Sequence, residues 1–167
     1  MKANVKSGLD KLDKASRLVK AGRPVRPAVK VMVGGKFNII HPGHIWFLRK
    51  ARAFGDELVV VLASDATIRN NGQPLVFPAK ERKRVMESLS LVDRVLIGDE
   101  KDFFRVVEKE RPDVIVLGYD QQADSAWLKK RLHNSKKPRI IILKKWGNYS
   151  TSSIIEMMGR GKGAQTK

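Results

Sequence analysis

Val29-Lys30-Val31-Met32-Val33-Gly34-Gly35-Lys36-Phe37-Asn38-Ile39-Ile40-His41-Pro42-Gly43-His44 holds a strand, a turn and the beginning of a helix within one short run. Val29–Val33 is apolar and mostly β-branched, which reads as a buried strand. Gly34 and Gly35 let backbone amides come close to an anion, and Lys36 adds a full positive charge beside them. Gly43 and His44 then open a helix, whose N-terminus favours phosphate oxygens. His41 and His44 stand three residues apart, so both imidazoles can reach one ligand there. A plain glycine turn with a structural histidine pair is the other reading. A metal pair is a third, but no further His or Cys stands nearby to complete it.

Outward from this run, short apolar strands alternate with helical patterns. Strands are expected at Val29–Val33, Glu57–Ala63, Val92–Ile97, Val114–Leu117 and Arg139–Leu143. Helices are expected at Gly43–Phe54, Pro78 to about Ser90, Asp102–Glu110, Asp124–Asn134 and Ser150–Met158. Pro78 suits a first helical turn, and Pro112 stops the helix before it. Such alternation implies an α/β fold, a Rossmann-like doubly wound parallel five-stranded sheet with helices on both faces. Ligands in such sheets bind beyond the carboxyl ends of the strands. Residues 1–28 read as a basic N-terminal extension, with a short amphipathic helix over 1–22. Residues 29–158 read as the domain proper and 159–167 as a flexible basic tail.

Net charge is +17 over 167 residues, and its placement matters more than its size. Residues 1–30 hold nine Lys and Arg against two acids, and 129–167 hold eleven against Glu156. The middle, 31–128, is balanced. Basic ends attract polyanions through counterion release, so nucleic acid is a candidate partner; solubility and attraction of phosphorylated substrates are the plainer account. Cysteine is absent, which excludes disulfides, thiolate catalysis and Cys-based zinc sites and fits a cytoplasmic setting. No apolar run approaches the length of a membrane span.

His41-Pro42-Gly43-His44 matches the HxGH motif of the cytidylyltransferase-like nucleotidyltransferases. The resemblance continues in order through Phe54-Gly55-Asp56-Glu57-Leu58-Val59-Val60, Glu81-Arg82, Arg111-Pro112-Asp113, Gly118-Tyr119-Asp120-Gln121 and Tyr149-Ser150-Thr151-Ser152-Ser153-Ile154. The last is similar to the family's STSxI signature, and the whole match spans about 31–158. The resemblance implies in-line attack of a substrate phosphate on the nucleotide α-phosphorus, with pyrophosphate leaving and no covalent intermediate. Such chemistry asks mainly for positioning and for stabilising developing negative charge.

The family's functional residues carry over by position. His41 and His44 match the motif histidines and are the expected catalytic pair, joined by Lys36, which this chain adds where relatives differ. Gly34, Gly35, Phe37, Asn38 and Gly43 are expected around the nucleotide. Ser150, Thr151 and Ser152 offer hydroxyls and amides to the β- and γ-phosphates, with N-capping as the competing role. Arg82 matches an arginine that approaches the phosphates from a mobile loop; a solvated helix arginine is its alternative. Gly118, Tyr119 and Asp120 stand where the family reads base and ribose, with N-capping of the next helix as the competing role for Asp120. Lys145 and Tyr149 complete the expected nucleotide contacts, with an exposed surface lysine as the alternative for Lys145. No protein metal site is expected; Mg2+ would accompany the triphosphate.

Two departures stand out. Relatives often read Gly-Thr-Phe-Asp where this chain has Gly35-Lys36-Phe37-Asn38, exchanging a carboxylate for an amide and adding Lys36. Ser153 stands where relatives often carry a basic residue. Three stretches, Ile39–His44, Pro112–Gln121 and Ser150–Ile155, resemble archaeal FAD synthase, an FMN adenylyltransferase. ATP and FMN are then the expected substrates. The alternatives are a cytidylyltransferase using CTP and glycerol 3-phosphate or another phosphorylated small molecule, and a non-catalytic nucleic-acid-binding protein on this fold. A homodimer is a further candidate, since many relatives are dimers. Trp46, Trp127 and Trp146 are candidates to stack on an isoalloxazine, with core packing as the ordinary alternative.

Overall fold

The computed structural model describes residues 27–72, 74–99, 103–121, 128, 130–131 and 137–160. The expected helices over 1–22 and 124–134, with Trp127, fall largely or wholly outside these residues. So does the tail beyond Arg160.

Five parallel strands form one sheet in the order β3-β2-β1-β4-β5: β1 Lys30–Gly35, β2 Glu57–Leu62, β3 Arg94–Ile97, β4 Val114–Leu117 and β5 Arg139–Ile142. Helices α1 Pro42–Arg52, α2 Asp65–Asn70, α3 Ala79–Glu87, α4 Phe103–Glu110 and α5 Thr151–Arg160 occupy the connections described. The chain steps outward from β1 to β3, then returns to place β4 on the other side of β1. That reversal makes the gap between β1 and β4 the switch point.

Alternation along the strands sorts the core into two layers. Val31, Val33, Leu58, Val60, Leu62, Val114 and Val116 pack with Leu48 and Ala51 of α1 and Met86 of α3. Met32, Val61, Ile115 and Leu117 face the other way, against Phe104 and Val107 of α4 and Leu128. Successive strand side chains point to opposite faces, so both faces of this sheet are covered, as the continuous apolar strands require.

Three aspartates set the register at the amino ends of the strands. Asp56 Oδ2 accepts from Val29 N at 2.9 Å, Asp93 Oδ2 from Leu58 N at 2.8 Å, and Asp113 Oδ2 from Lys30 N at 2.8 Å. Each stands just before one strand and holds the start of its neighbour. Gly55 is needed here, because a Cβ would lie 2.5 Å from Val29 O. At the same end, Glu110 accepts from Lys30 Nζ at 3.3 Å and Arg94 Nη2 at 2.8 Å, tying the end of α4 to β1 and β3.

Two elements differ from the sequence expectation. β1 runs on through Gly34 and Gly35, which pair with Val61 and Leu62. The two glycines are thus strand residues as well as the entry to the turn. α2 was not expected; Ser64 caps it, Oγ accepting from Thr67 N at 3.1 Å, and Gly72 follows at φ 66°.

Candidate functional site

The carboxyl ends of the strands open into a cleft of about 1240 Å³. β1 delivers Gly34, Gly35, Lys36 and Phe37 to its floor, and two helix N-termini, those of α1 and α5, converge on it.

His41 is the N-cap of α1, with extended backbone angles of φ −142° and ψ 168°. Its Nδ1 accepts from His44 N at 3.3 Å. An accepting Nδ1 carries no proton, so the neutral ring holds its proton on Nε2. The His44 ring stacks on His41 with centroids 3.7 Å apart and planes 19° apart. Gly43 makes this possible: a Cβ there would meet His41 Nδ1 at 3.1 Å and Tyr149 Cβ at 3.3 Å. His44 Nδ1 is buried with no hydrogen-bond partner.

Burial pushes the His44 pKa down to about 4; the neighbouring His41 charge adds to this, and a backbone hydrogen bond at Ile39 opposes it. Burial also lowers His41, against a backbone hydrogen bond. Both imidazoles are therefore neutral at pH 7. An anion bound at their edges would favour the charged form, because an opposite charge within a few ångströms stabilises it.

At the second helix N-terminus the sequence offered two uses for Ser150, and the structure displays capping. Ser150 Oγ accepts from Ser153 N at 3.1 Å and lies 2.7 Å from Ser153 Oγ. Ser153 is thus spent on closing the cap. The N–H groups of Thr151 and Ser152 precede the first intrahelical bond and stay available to an anion. Both residues line the cleft.

Gly118, Tyr119 and Asp120 follow β4 on the other side of the switch point. Gln121 shapes this turn, its Oε1 accepting from Gly118 N at 2.9 Å. Lys145, after β5, brings Nζ to 5.6 Å from the Tyr119 ring centroid, so the two expected residues meet across the β4 and β5 ends. Tyr149 lines the same wall, 6.3 Å from the His41 ring.

Asn38 and Arg82 are engaged inside the protein. Asn38 is 3% exposed; its Nδ2 donates to Pro74 O at 2.6 Å and its Oδ1 accepts from Val76 N at 3.0 Å. Arg82 does not line the cleft. Its Nη1 donates to Lys36 O at 2.7 Å, Nε to Phe77 O at 2.9 Å, and Nη2 to Asp65 Oδ1 at 2.7 Å. It sits on α3 rather than on a loop, and braces the turn that carries Lys36. Sequence reasoning took the Glu-Arg pair from resemblance and had no means of seeing that Asp65, 17 residues earlier, would receive it.

Residues the sequence reading passed over also line the cleft: Ser64, Thr67, Asn71, Gly98, Asp99 and Lys144. The first three belong to the α2 region, whose only sequence signal was the Ser-x-x-Thr cap. Among the described residues no group of three His, Asp or Glu is placed to hold a metal. A divalent cation fits this site as one carried on triphosphate oxygens, the usual manner for Mg2+ with nucleotides.

The Cytidylyltransferase-like family model matches residues 32–157, from β1 into α5. The chain belongs to the cytidylyltransferase-like family. A protein named FAD synthase from Archaeoglobus fulgidus is 44% identical over 129 residues, covering 75% of this chain and 93% of its own. Another of that name, from Methanosarcina acetivorans, is 40% identical over 138 residues, covering 80% and 91%. Among solved structures, the lipopolysaccharide core biosynthesis protein from Thermoplasma volcanium superposes with a TM-score of 0.69 at 38% identity, over 72% of this chain and all of that one. The family fits the geometry found: two helix N-termini and a stacked histidine pair at a sheet switch point. No helix among the described residues is long and apolar enough to cross a membrane.

Proposed function

We propose that this nucleotidyltransferase transfers the adenylyl group of ATP to the phosphate of FMN, forming FAD and pyrophosphate. An FMN phosphate oxygen attacks the α-phosphorus, the bond to the bridging β-phosphate oxygen breaks, and pyrophosphate leaves with that electron pair. One observation carries the reading: the N-termini of α1 and α5 converge, with the stacked His41–His44 pair, on a single cleft at the switch point. Two amide-lined helix ends suit a triphosphate better than any uncharged ligand. The FAD synthases similar over most of this chain choose the acceptor.

In this reading, His41 through Nε2 and His44 take the α-phosphate and the charge that grows on it. Thr151 and Ser152 amides receive the β- and γ-phosphates. Lys36 holds the acceptor and donor phosphates together and carries part of the charge that a divalent cation neutralises. Tyr119, Asp120 and Lys145 contact the nucleoside. A divalent cation such as Mg2+, when bound with the triphosphate, would supply further charge neutralisation.

Pyrophosphate release from ATP with FMN, lost in His41→Ala and His44→Ala, is the expected result. Release from CTP with glycerol 3-phosphate, and none with FMN, would move the chain to a polyol- or sugar-phosphate branch. The lipopolysaccharide-linked name of the 38% identical structure makes that control necessary. Lys36→Met is expected to lose most activity at low magnesium and to regain part of it at high magnesium; full activity at low magnesium would remove Lys36 from the phosphates. No turnover in any pairing, together with a salt-sensitive shift of RNA, would favour the nucleic-acid-binding alternative that the basic ends motivate.

A further inference from the structure

Trp46 on α1 and Trp146 after β5 present indoles only 5° from parallel, with centroids 5.9 Å apart. Tyr149 continues the series 5.7 Å from Trp146 at 23°, and reaches His41 at 6.3 Å and 21°. Four rings in near-parallel order therefore lead along the cleft wall to the histidine pair.

Neither core cluster contains Trp46, Trp146 or Tyr149. Trp146 and Tyr149 stay 44% and 43% exposed. Their ring contacts are with one another and with His41 rather than with the two core clusters, so core packing does not account for the series. The backbone is nonetheless shaped to present them. Gly147 turns at φ 65°, and a Cβ there would lie 2.8 Å from the Tyr149 ring. Gly43 gives Tyr149 its room on the other side. Centroids nearly 6 Å apart put the parallel rings out of face-to-face register; Lys50 Nζ stands 5.9 Å from the Trp46 centroid, while the 44% exposed Trp146 keeps surface for another planar group.

We propose that Trp46 and Trp146 form a stacking site for the heteroaromatic ring of one of the two substrates. This rests on the reading that ATP and FMN are those substrates; adenine and isoalloxazine share the required chemistry, a flat π-system with a triphosphate or phosphate leading toward the histidines. Stacking of a base on an aromatic side chain is worth about 1–3 kcal/mol, or roughly 5- to 150-fold in affinity.

The test measures binding of ATP alone and of FMN alone to Trp46→Ala, Trp146→Ala and Trp146→Phe, with circular dichroism to confirm folding. Either alanine variant should lose roughly 5- to 150-fold in affinity for one substrate and stay within about twofold for the other. Trp146→Phe should recover most of the loss. Loss confined to FMN assigns the site to isoalloxazine, and loss confined to ATP assigns it to adenine; both support the proposal. Unchanged affinity for both, or a phenylalanine variant as weak as alanine, overturns it. Should the alanine variants misfold, quenching of wild-type tryptophan fluorescence by each ligand decides instead, and no quenching by either overturns it. A wild-type protein that binds ATP yet neither binds nor adenylylates FMN defeats the FAD reading, while the ATP arm still decides the stacking site.

Discussion

Arg82→Met tests whether this arginine braces the phosphate-side turn or reaches for phosphate itself. Its side chain is 1% exposed and donates to three acceptors: Lys36 O, Phe77 O and Asp65 Oδ1. Methionine keeps most of the length and apolar stem while removing every donor. Two carbonyls lose their partner, and Asp65 keeps the Ala79 N–H at 2.7 Å but loses its counter-ion. Breaking a buried ion pair by removing one member costs about 3–5 kcal/mol. Asp65 is 28% exposed and can recruit water, which draws the expectation to the lower end, about 3 kcal/mol. For a domain of this size that is a fall in Tm of roughly 9–15 °C. Urea unfolding followed by circular dichroism reads the loss, and steady-state kinetics on the folded fraction reads KM for ATP. A variant with raised KM for ATP and a stability loss under about 1 kcal/mol would refute the bracing role and restore the phosphate contact.

Three further perturbations follow from the same geometry. The depressed His44 pKa means the fold disfavours the charged ring, so stability is full above about 6.5 and declines as pH falls toward about 4. His44→Asn should flatten that decline when urea midpoints at pH 7 and pH 4.8 are compared; an equal decline in both proteins would refute it. Burial pushes the Glu110 carboxyl up, but its hydrogen bonds and charge contacts with Arg94 and Lys30 outweigh this and hold it below its ordinary value. Its stabilising contribution is therefore present above about pH 4.5 and is lost as pH falls below that. Glu110→Gln should lower stability at pH 7 by about 1–2 kcal/mol and lessen the loss below pH 4.5, read by thermal melts. Asn38→Asp, which restores the residue common in relatives, places a carboxylate oxygen against Pro74 O and should cost about 1–3 kcal/mol; a neutral result in urea would refute the amide's double tether.

The strands, four of the five described helices and the doubly wound class were legible in the sequence because each rests on local signals. Val114–Leu117 is apolar at every position, and a strand buried on both faces must be. His41, Gly43 and His44 were legible too, since a cap, a small residue and a second ring at i+3 interact within one helical turn. α2 was missed because six residues carry too little periodicity to separate from a loop.

Order along the chain already fixes which chemical groups stand at the carboxyl ends of which strands: two glycines and a lysine after β1, histidines at one helix start, hydroxyls at another. Those are consequences of neighbours along the chain. Their partners come from the packed fold, because those lie far away in sequence. Arg82 turns inward since α3 packs where Lys36 O, 46 residues earlier, lacks a donor. Asn38 is tied to Pro74 and Val76, 36 and 38 residues on. The indoles of Trp46 and Trp146 become parallel neighbours only when β5 takes its place at the sheet edge and its following turn reaches back to α1. Side-chain types set what a site can do; packing sets which of them are free to do it.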